Sequence, residues 1–277
     1  MQNSYQTLRV SRDGSVATIT IDNGPINLMT IEMLNDLDRA GRELSDDSSI
    51  NVVVLQSANP DFFIAHADLD AIVQLPESPA PREEKLGMVH AALDRFRTMP
   101  KVTIAKIAGR CRGGGSELAL ACDMRFGAIG KAVLSQPEVG VGIIPGAGGS
   151  VRLPKLIGRG RALEVILGAG DFSAEVAERY GYLNRALPPH ELDSFVDTLA
   201  KRIAGFPLES IALAKEAVSW QSGTIEDQLA MEEVLFLKSV HLPRSKARMA
   251  AALQAGMQTP VMERCSFNQI WAPLAGV

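Results

Sequence analysis

Residues 110–123 read RCRGGGSELALACD, in which three consecutive glycines run into a short apolar segment carrying a single carboxylate, Glu117. A glycine bend at the head of a helix lets the main chain approach an anion closely and turns N–H groups towards it. The stretch therefore predicts a site for a phosphate, a nucleotide or an acyl oxygen. The same order of strand, bend and helix recurs: IAKIAG precedes this stretch, and AVLSQPEVGVG leads into PGAGGSVRLPKLIG. That alternation predicts an α/β core.

Phosphate and nucleotide fail on spacing. A P-loop needs GxxxxGK followed by Ser or Thr, but Gly130-Lys131 is followed by Ala132. A dinucleotide bend needs GxGxxG or GxGxxA. The Gly-x-Gly stretches beginning at Gly113, Gly140, Gly146, Gly158 and Gly168 reach Leu118, Pro145, Val151, Leu163 and Ser173 at the closing position. There is no GxSxG elbow and no HExxH pair, and His66, His90, His190 and His241 are scattered. An anion site made of main-chain N–H groups remains, which is the description of an oxyanion hole.

Glu117 lies beside Leu118, Ala119, Leu120 and Ala121, on a helix expected to be buried all round, and Gly114 stands where a capping box would need Ser or Thr. An unpartnered buried carboxylate is costly, so Glu117 is a candidate for chemistry. Glu138, in SQPEVGVG, reads by itself as a solvated turn residue. Together the two glutamates supply the pair that acid–base work at one carbon centre requires.

Outward from this centre, LRVSRDGSVATITID predicts a β-hairpin turning at Asp13-Gly14 with positive φ at both positions. Met33, Leu34, Leu37 and Leu44 recur at helical spacing within Ile31–Leu44, with Thr30 as N-cap, and residues 51–56 read as a buried strand. QLPESPAPREEK, at 74–85, predicts a surface excursion, a lid or a passive loop alike. From about Ser173 strand signals vanish and helices follow. The tail beyond Pro260 carries Phe267, Ile270, Trp271 and Leu274, an apolar end that a neighbouring subunit would cover.

The whole chain sets limits. Its 277 residues suit one large α/β domain or a core with a helical appendage, and a net charge of -4 opposes a nucleic-acid partner. No apolar run has the length a bilayer needs and the start lacks a secretory pattern, so a soluble cytoplasmic protein with no membrane partner is expected. Cys111, Cys122 and Cys265 are read as free thiols, with no disulfide framework and no metal site.

Five pieces in order carry a family resemblance: PINLMT after the hairpin, FFIAHADL at 62–69, AGRCRGGGSELALACD at 108–123, SQPEVGVGIIPGAGGSVRLPKLIG at 135–158 and FSAEVAERYGYLNRAL at 172–187. Over about Leu8 to Ala217 the chain resembles the enoyl-CoA hydratase/isomerase (crotonase) superfamily. The resemblance implies a spiral of ββα units over residues 1–200. It further implies a C-terminal helical oligomerisation region over 201–277 and a homotrimer or dimer of trimers. An acyl-CoA thioester is the implied substrate, within fatty acid metabolism, with coenzyme A carried by that substrate and no separate cofactor. The N–H groups of Ala67 and Gly114 would bind the thioester oxygen. Glu117 would help activate water at the β-carbon, and Glu138 would shuttle the proton at the α-carbon. Ile26, Leu28, Ala65, His66, Asp68 and Leu69 would lie along the thioester and its nucleotide.

The implied activity is hydration of the 2,3 double bond. The rivals are a double-bond isomerase or another enolate-forming member and, from a different class, a silent or RNA-binding member. The chain departs from the family pattern at three places: His66 replaces a usual glycine, Arg112 replaces a usual apolar residue, and the sequence after about Arg244 differs. For His66 three readings stand: a ring facing solvent or satisfying a nearby carbonyl, a CoA contact, or a switch near neutral pH.

Overall fold

The computed structural model describes residues 5–76, 86–206, 208–219, 224–226, 236–237, 240–241 and 243–265. Alternation in the first strands gives an antiparallel hairpin, β1 (Leu8–Asp13) with β2 (Val16–Ile21). Asp13 pairs with Val16, so the two-residue loop is Gly14-Ser15, and of Asp13, Gly14 and Ser15 only Gly14 has positive φ, at 57°. The turn therefore sits one residue later than Asp13-Gly14, because Asp13 is still held extended by the ladder. Thr30 caps α1 (Ile31–Asp46): its side chain accepts from Met33 N at 3.3 Å, and Met33, Leu34, Leu37 and Leu44 are buried.

Three strand pairs then repeat one plan. β3 (Val52–Ser57) and β4 (Phe62–Ile64) are followed by α2 (Leu69–Val73) and α3 (Met88–Thr98). β5 (Val102–Ile107) and β6 (Arg110–Arg112) are followed by α4 (Gly114–Ala121). β7 (Met124–Ala128) and β8 (Val133–Ser135) are followed, after a 3₁₀ turn at Glu138–Val141, by α5 (Gly149–Ile157) and α6 (Arg159–Gly168). The longer strand of each pair joins a six-stranded sheet and the shorter joins a four-stranded sheet, and within the β3, β5, β7 and β4, β6, β8 series the strands are parallel. Each ββα unit thus adds one strand to both sheets, the spiral that the resemblance implies.

Strands themselves do not stop at Ser173, although their sequence signal does. β9 (Phe172–Ser173) pairs antiparallel with β8, and β10 (Arg185–Leu187) lies parallel to β7, where it ends the six-stranded order β1-β2-β3-β5-β7-β10. Strands of two or three residues are too short to show alternation. Helices follow as α7 (Ala174–Tyr180), α8 (Pro189–Ala204), α9 (Leu208–Ser219), Pro243–Gln254 and Pro260–Glu263. α8 lays Leu192, Val196 and Ala200 on Val52, Val54, Ile104 and Phe126 of the larger sheet. The excursion at 77–85, most of the expected helix at 225–240, and Phe267, Ile270, Trp271 and Leu274 lie outside the described residues. Cys111, Cys122 and Cys265 are free thiols. No helix among the described residues is long and apolar enough to cross a membrane.

Candidate active site

The three short strands of the smaller sheet lie side by side, with Ile64 paired to Cys111 and Cys111 to Leu134. They therefore end at one edge, and the chain leaving each brings one part of the site there: Ala67 after β4, Gly114 and Glu117 after β6, Glu138 after β8.

Loop 65–68 is fixed by Met29. Met29 N donates to His66 O at 2.9 Å, and Asp68 N donates to Met29 O at 3.1 Å. Across a trans peptide the C=O and N–H point in opposite directions, so turning the His66 carbonyl to Met29 turns Ala67 N–H the other way. Gly113 has φ 49° and ψ -124°, a geometry open to glycine, and donates its N–H to Ser135 O at 3.0 Å. A Cβ on Gly113 would stand 3.1 Å from Glu138 Oε1, so the bend also makes room for the second carboxylate. Gly114 opens α4, where N–H groups have no partner within the helix. A Cβ on it would lie 3.5 Å from Ala67 Cβ. Ala67 and Gly114 are thus neighbours, and among the described residues neither N–H meets a main-chain acceptor.

All of α4 is buried, and Glu117 is 3% exposed. Its Oε1 accepts from Ala147 N at 2.8 Å and Gly149 N at 2.9 Å. The second glycine bend, PGAGGS, is therefore the cradle for the carboxylate of the first. Glu138 is half-buried at the start of the 3₁₀ turn. The Gln136 amide, oriented to satisfy both neighbours, donates to Glu138 at 3.1 Å and accepts from Ser116 Oγ at 3.0 Å. Ser116 in turn bonds the Tyr182 hydroxyl, whose pKa burial pushes up, so Tyr182 enters this chain as a protonated phenol.

Between these parts lies a cavity of about 170 Å³, several times the roughly 30 Å³ that one water occupies in the liquid. Its lining includes Ala67, Gly114, Glu117 and Glu138 together with apolar groups such as Leu34, Ile72, Val89, Ile143 and Met257. Of the residues expected along the substrate, His66, Asp68 and Leu69 line this cavity. Ile26, Leu28 and Ala65 pack with Phe62 in a separate small cluster, where Ala65 N donates to Ile26 O at 3.1 Å. Sequence reasoning missed His90, which is 1% exposed on α3 and lines the same cavity as His66. The signal was a histidine among the apolar positions of an amphipathic helix.

The three departures from the family pattern meet in one place. His66 is 4% exposed, which removes the solvent-facing reading. Its Nδ1 is 2.8 Å from Ala67 O, the nearby carbonyl, and its Nε2 is 2.7 Å from Oε1 of Glu263, in the C-terminal segment. Arg112, fully buried, pairs with Asp171 through Nε at 2.9 Å and Nη2 at 2.7 Å. Arg112 also donates to Glu263 O at 2.9 Å and Cys265 O at 3.1 Å. Burial pushes the Glu263 carboxyl up, but His66, Gln258 N–H and Arg112 outweigh it and hold it below the ordinary glutamate range.

Two main-chain N–H groups and two carboxylates thus line one cavity with apolar walls, an arrangement able to stabilise an oxyanion and to move protons. Residues 11–256 match the family model for enoyl-CoA hydratase/isomerase, and the chain belongs to that family. It is 31% identical over 248 residues to the short-chain-enoyl-CoA hydratase of Clostridium acetobutylicum, covering 88% of this chain and 94% of that protein. Over 217 residues it is 31% identical to the crotonyl-CoA hydratase of Syntrophomonas wolfei, covering 78% of this chain and 82% of the relative. Among solved structures, one from Streptomyces avermitilis, described as a candidate enoyl-CoA hydratase, has a TM-score of 0.88 at 39% identity, with 98% of this chain and 99% of that one covered. The enoyl-CoA hydratase of Bacillus halodurans has a TM-score of 0.81 at 26% identity, with 90% and 100% covered.

Proposed function

We propose that this chain is an enoyl-CoA hydratase, adding water across the 2,3 double bond of an acyl-CoA thioester. The observation that carries the reading is the presence of both Glu117 and Glu138 beside the paired N–H groups of Ala67 and Gly114. Moving a double bond needs one group to carry a proton between two carbons. Adding water needs a second group to take a proton from the water.

The Ala67 and Gly114 N–H groups bind the thioester oxygen and stabilise the charge that develops there, each donor contributing about 3 kcal/mol in the transition state. Ala147 and Gly149 N–H hold Glu117 through one oxygen and fix its plane. Glu117 accepts a proton as the water oxygen bonds to C3, and the π electrons move through C2 onto the thioester oxygen. Glu138, set by Gln136, delivers a proton to C2 as the enolate collapses. Coenzyme A belongs to the substrate. A homotrimer or dimer of trimers in the cytoplasm, working in fatty acid metabolism, completes the reading, and light scattering tests the assembly.

The direct test follows the absorbance of the conjugated thioester with a panel of 2-enoyl-CoA substrates. Loss of the band with formation of 3-hydroxyacyl-CoA is expected. Gain of the band from 3-enoyl-CoA, with every 2-enoyl-CoA unchanged, would assign isomerisation instead. Salt-sensitive RNA binding without turnover would assign the silent class.

A further inference from the structure

His66 is braced at both ring nitrogens. Nδ1 faces a carbonyl oxygen, which can only accept, and Nε2 faces a carboxylate oxygen of Glu263 that also accepts from Gln258 N at 2.7 Å. Held at both nitrogens, the ring is a strut between the C-terminal segment and the peptide that follows Ala67. The peptide before Ala67 is fixed independently, by Met29 N on His66 O at 2.9 Å. Ala67 is thus a residue whose two flanking peptides are both tied to Met29, and the one that follows it carries a second tie, through His66 to Glu263.

Glu263 is itself immobilised. It is completely buried and lies between the His66 ring and the Arg112–Asp171 ion pair. Gln258, at φ 72°, grips Glu263 with its main chain and Asp68 Oδ1 with its side chain at 3.0 Å, so loop 65–68 is tied to the same segment a second time. Such investment of buried charge is costly unless every partner is present, and an oxyanion donor is effective only if it is aimed before the charge develops.

We propose that Glu263 is a positioning residue for the thioester-oxygen donor Ala67, acting through the His66 ring. The proposal rests on the reading of Ala67 as an oxyanion donor. It gives the C-terminal segment a part in aiming the donor of its own chain.

The test reads the donor directly. A saturated acyl-CoA labelled with ¹³C at the thioester carbonyl cannot react, and hydrogen bonds to its oxygen lower the carbonyl stretching frequency. With wild-type protein the frequency is expected below its value in water. In Glu263→Ala it returns towards the aqueous value, and kcat on the enoyl substrate falls roughly 10- to 100-fold, as for a slightly misplaced group, with KM nearly unchanged. Glu263→Gln keeps an acceptor for His66 Nε2 and restores most of the lowering, which a loss of general stability would not produce. His66→Ala removes the strut from its other end and gives the same carbonyl shift; it carries the test if Glu263→Ala does not fold. An unaltered carbonyl frequency in both alanine variants overturns the proposal and leaves the hydratase reading intact. No lowering in the wild type overturns the oxyanion hole itself.

Discussion

Replacing Glu117 separates its chemistry from its place in the fold. In the native protein one carboxylate oxygen accepts both Ala147 N and Gly149 N, at 2.8 and 2.9 Å, in a site that is 3% exposed. Glu117→Gln keeps an oxygen for both donors, so melting should remain within a degree or two of wild type while hydration falls roughly 10²- to 10⁴-fold with the proton-transfer step. Glu117→Ala should lose the same activity and also leave two buried N–H groups unpaired, at about 1–3 kcal/mol each. For a chain of this size that is a melting temperature lower by roughly 3–10 °C. Circular dichroism melts of the two variants, beside the enoyl-CoA absorbance assay, read both effects. Equal melting of Gln and Ala variants would refute the cradle, and wild-type turnover in the Gln variant would refute the proton transfer.

Glu138→Gln should fold normally, lose roughly 10²- to 10⁴-fold in turnover and abolish deuterium exchange at the α-carbon of the product; exchange at the wild-type rate would remove Glu138 from that step. Gly115→Ala would drive a Cβ to 2.5 Å from Ile64 Cβ and 2.8 Å from Ile64 O. A loss of about 1–3 kcal/mol in denaturant titrations is expected, and an unchanged midpoint would contradict that packing. For Asp94, burial pushes the carboxyl up, but Arg97 and Arg152 outweigh it and hold the pKa below its ordinary value. A depressed pKa stabilises the fold above the unfolded value, about 3.9, and that stability is lost as pH falls through the lower folded value. Asp94→Asn should therefore flatten the decline in stability below about pH 4, and an equally steep decline would show that other carboxylates cause it.

What could be read without coordinates was local. The Thr30 cap, the helix behind it, the buried setting of Glu117 and the glycine bends follow from spacing within a dozen residues. β9 and β10 escaped because two or three residues carry no period, and their place is set by β8 and β7. PGAGGS was legible as a bend, but that its N–H groups hold Glu117, 30 residues earlier in the chain, was not. His66, Arg112 and the altered tail were each visible as a departure, and two of them put polar side chains where small or apolar residues are usual. Buried polar groups need partners, and only the fold brings Glu263 and Asp171 to them.

The tie between loop 65–68 and Glu263 also dates the site in the life of the chain. His66 meets Glu263 across 197 residues, Arg110 meets Arg264 across 154, and Arg112 meets Glu263 across 151. The ββα units make their strand pairs with near neighbours and can build outward as the polypeptide emerges from the ribosome. The bond that braces loop 65–68 cannot form until Glu263 has been synthesised and released, and loop closure over such separations is slow. A nascent or prematurely terminated chain can therefore be well folded in its sheets, with loop 65–68 held by its bonds to Met29, and the brace through His66 and Glu263 arrives last, as a separate event from the folding of the core.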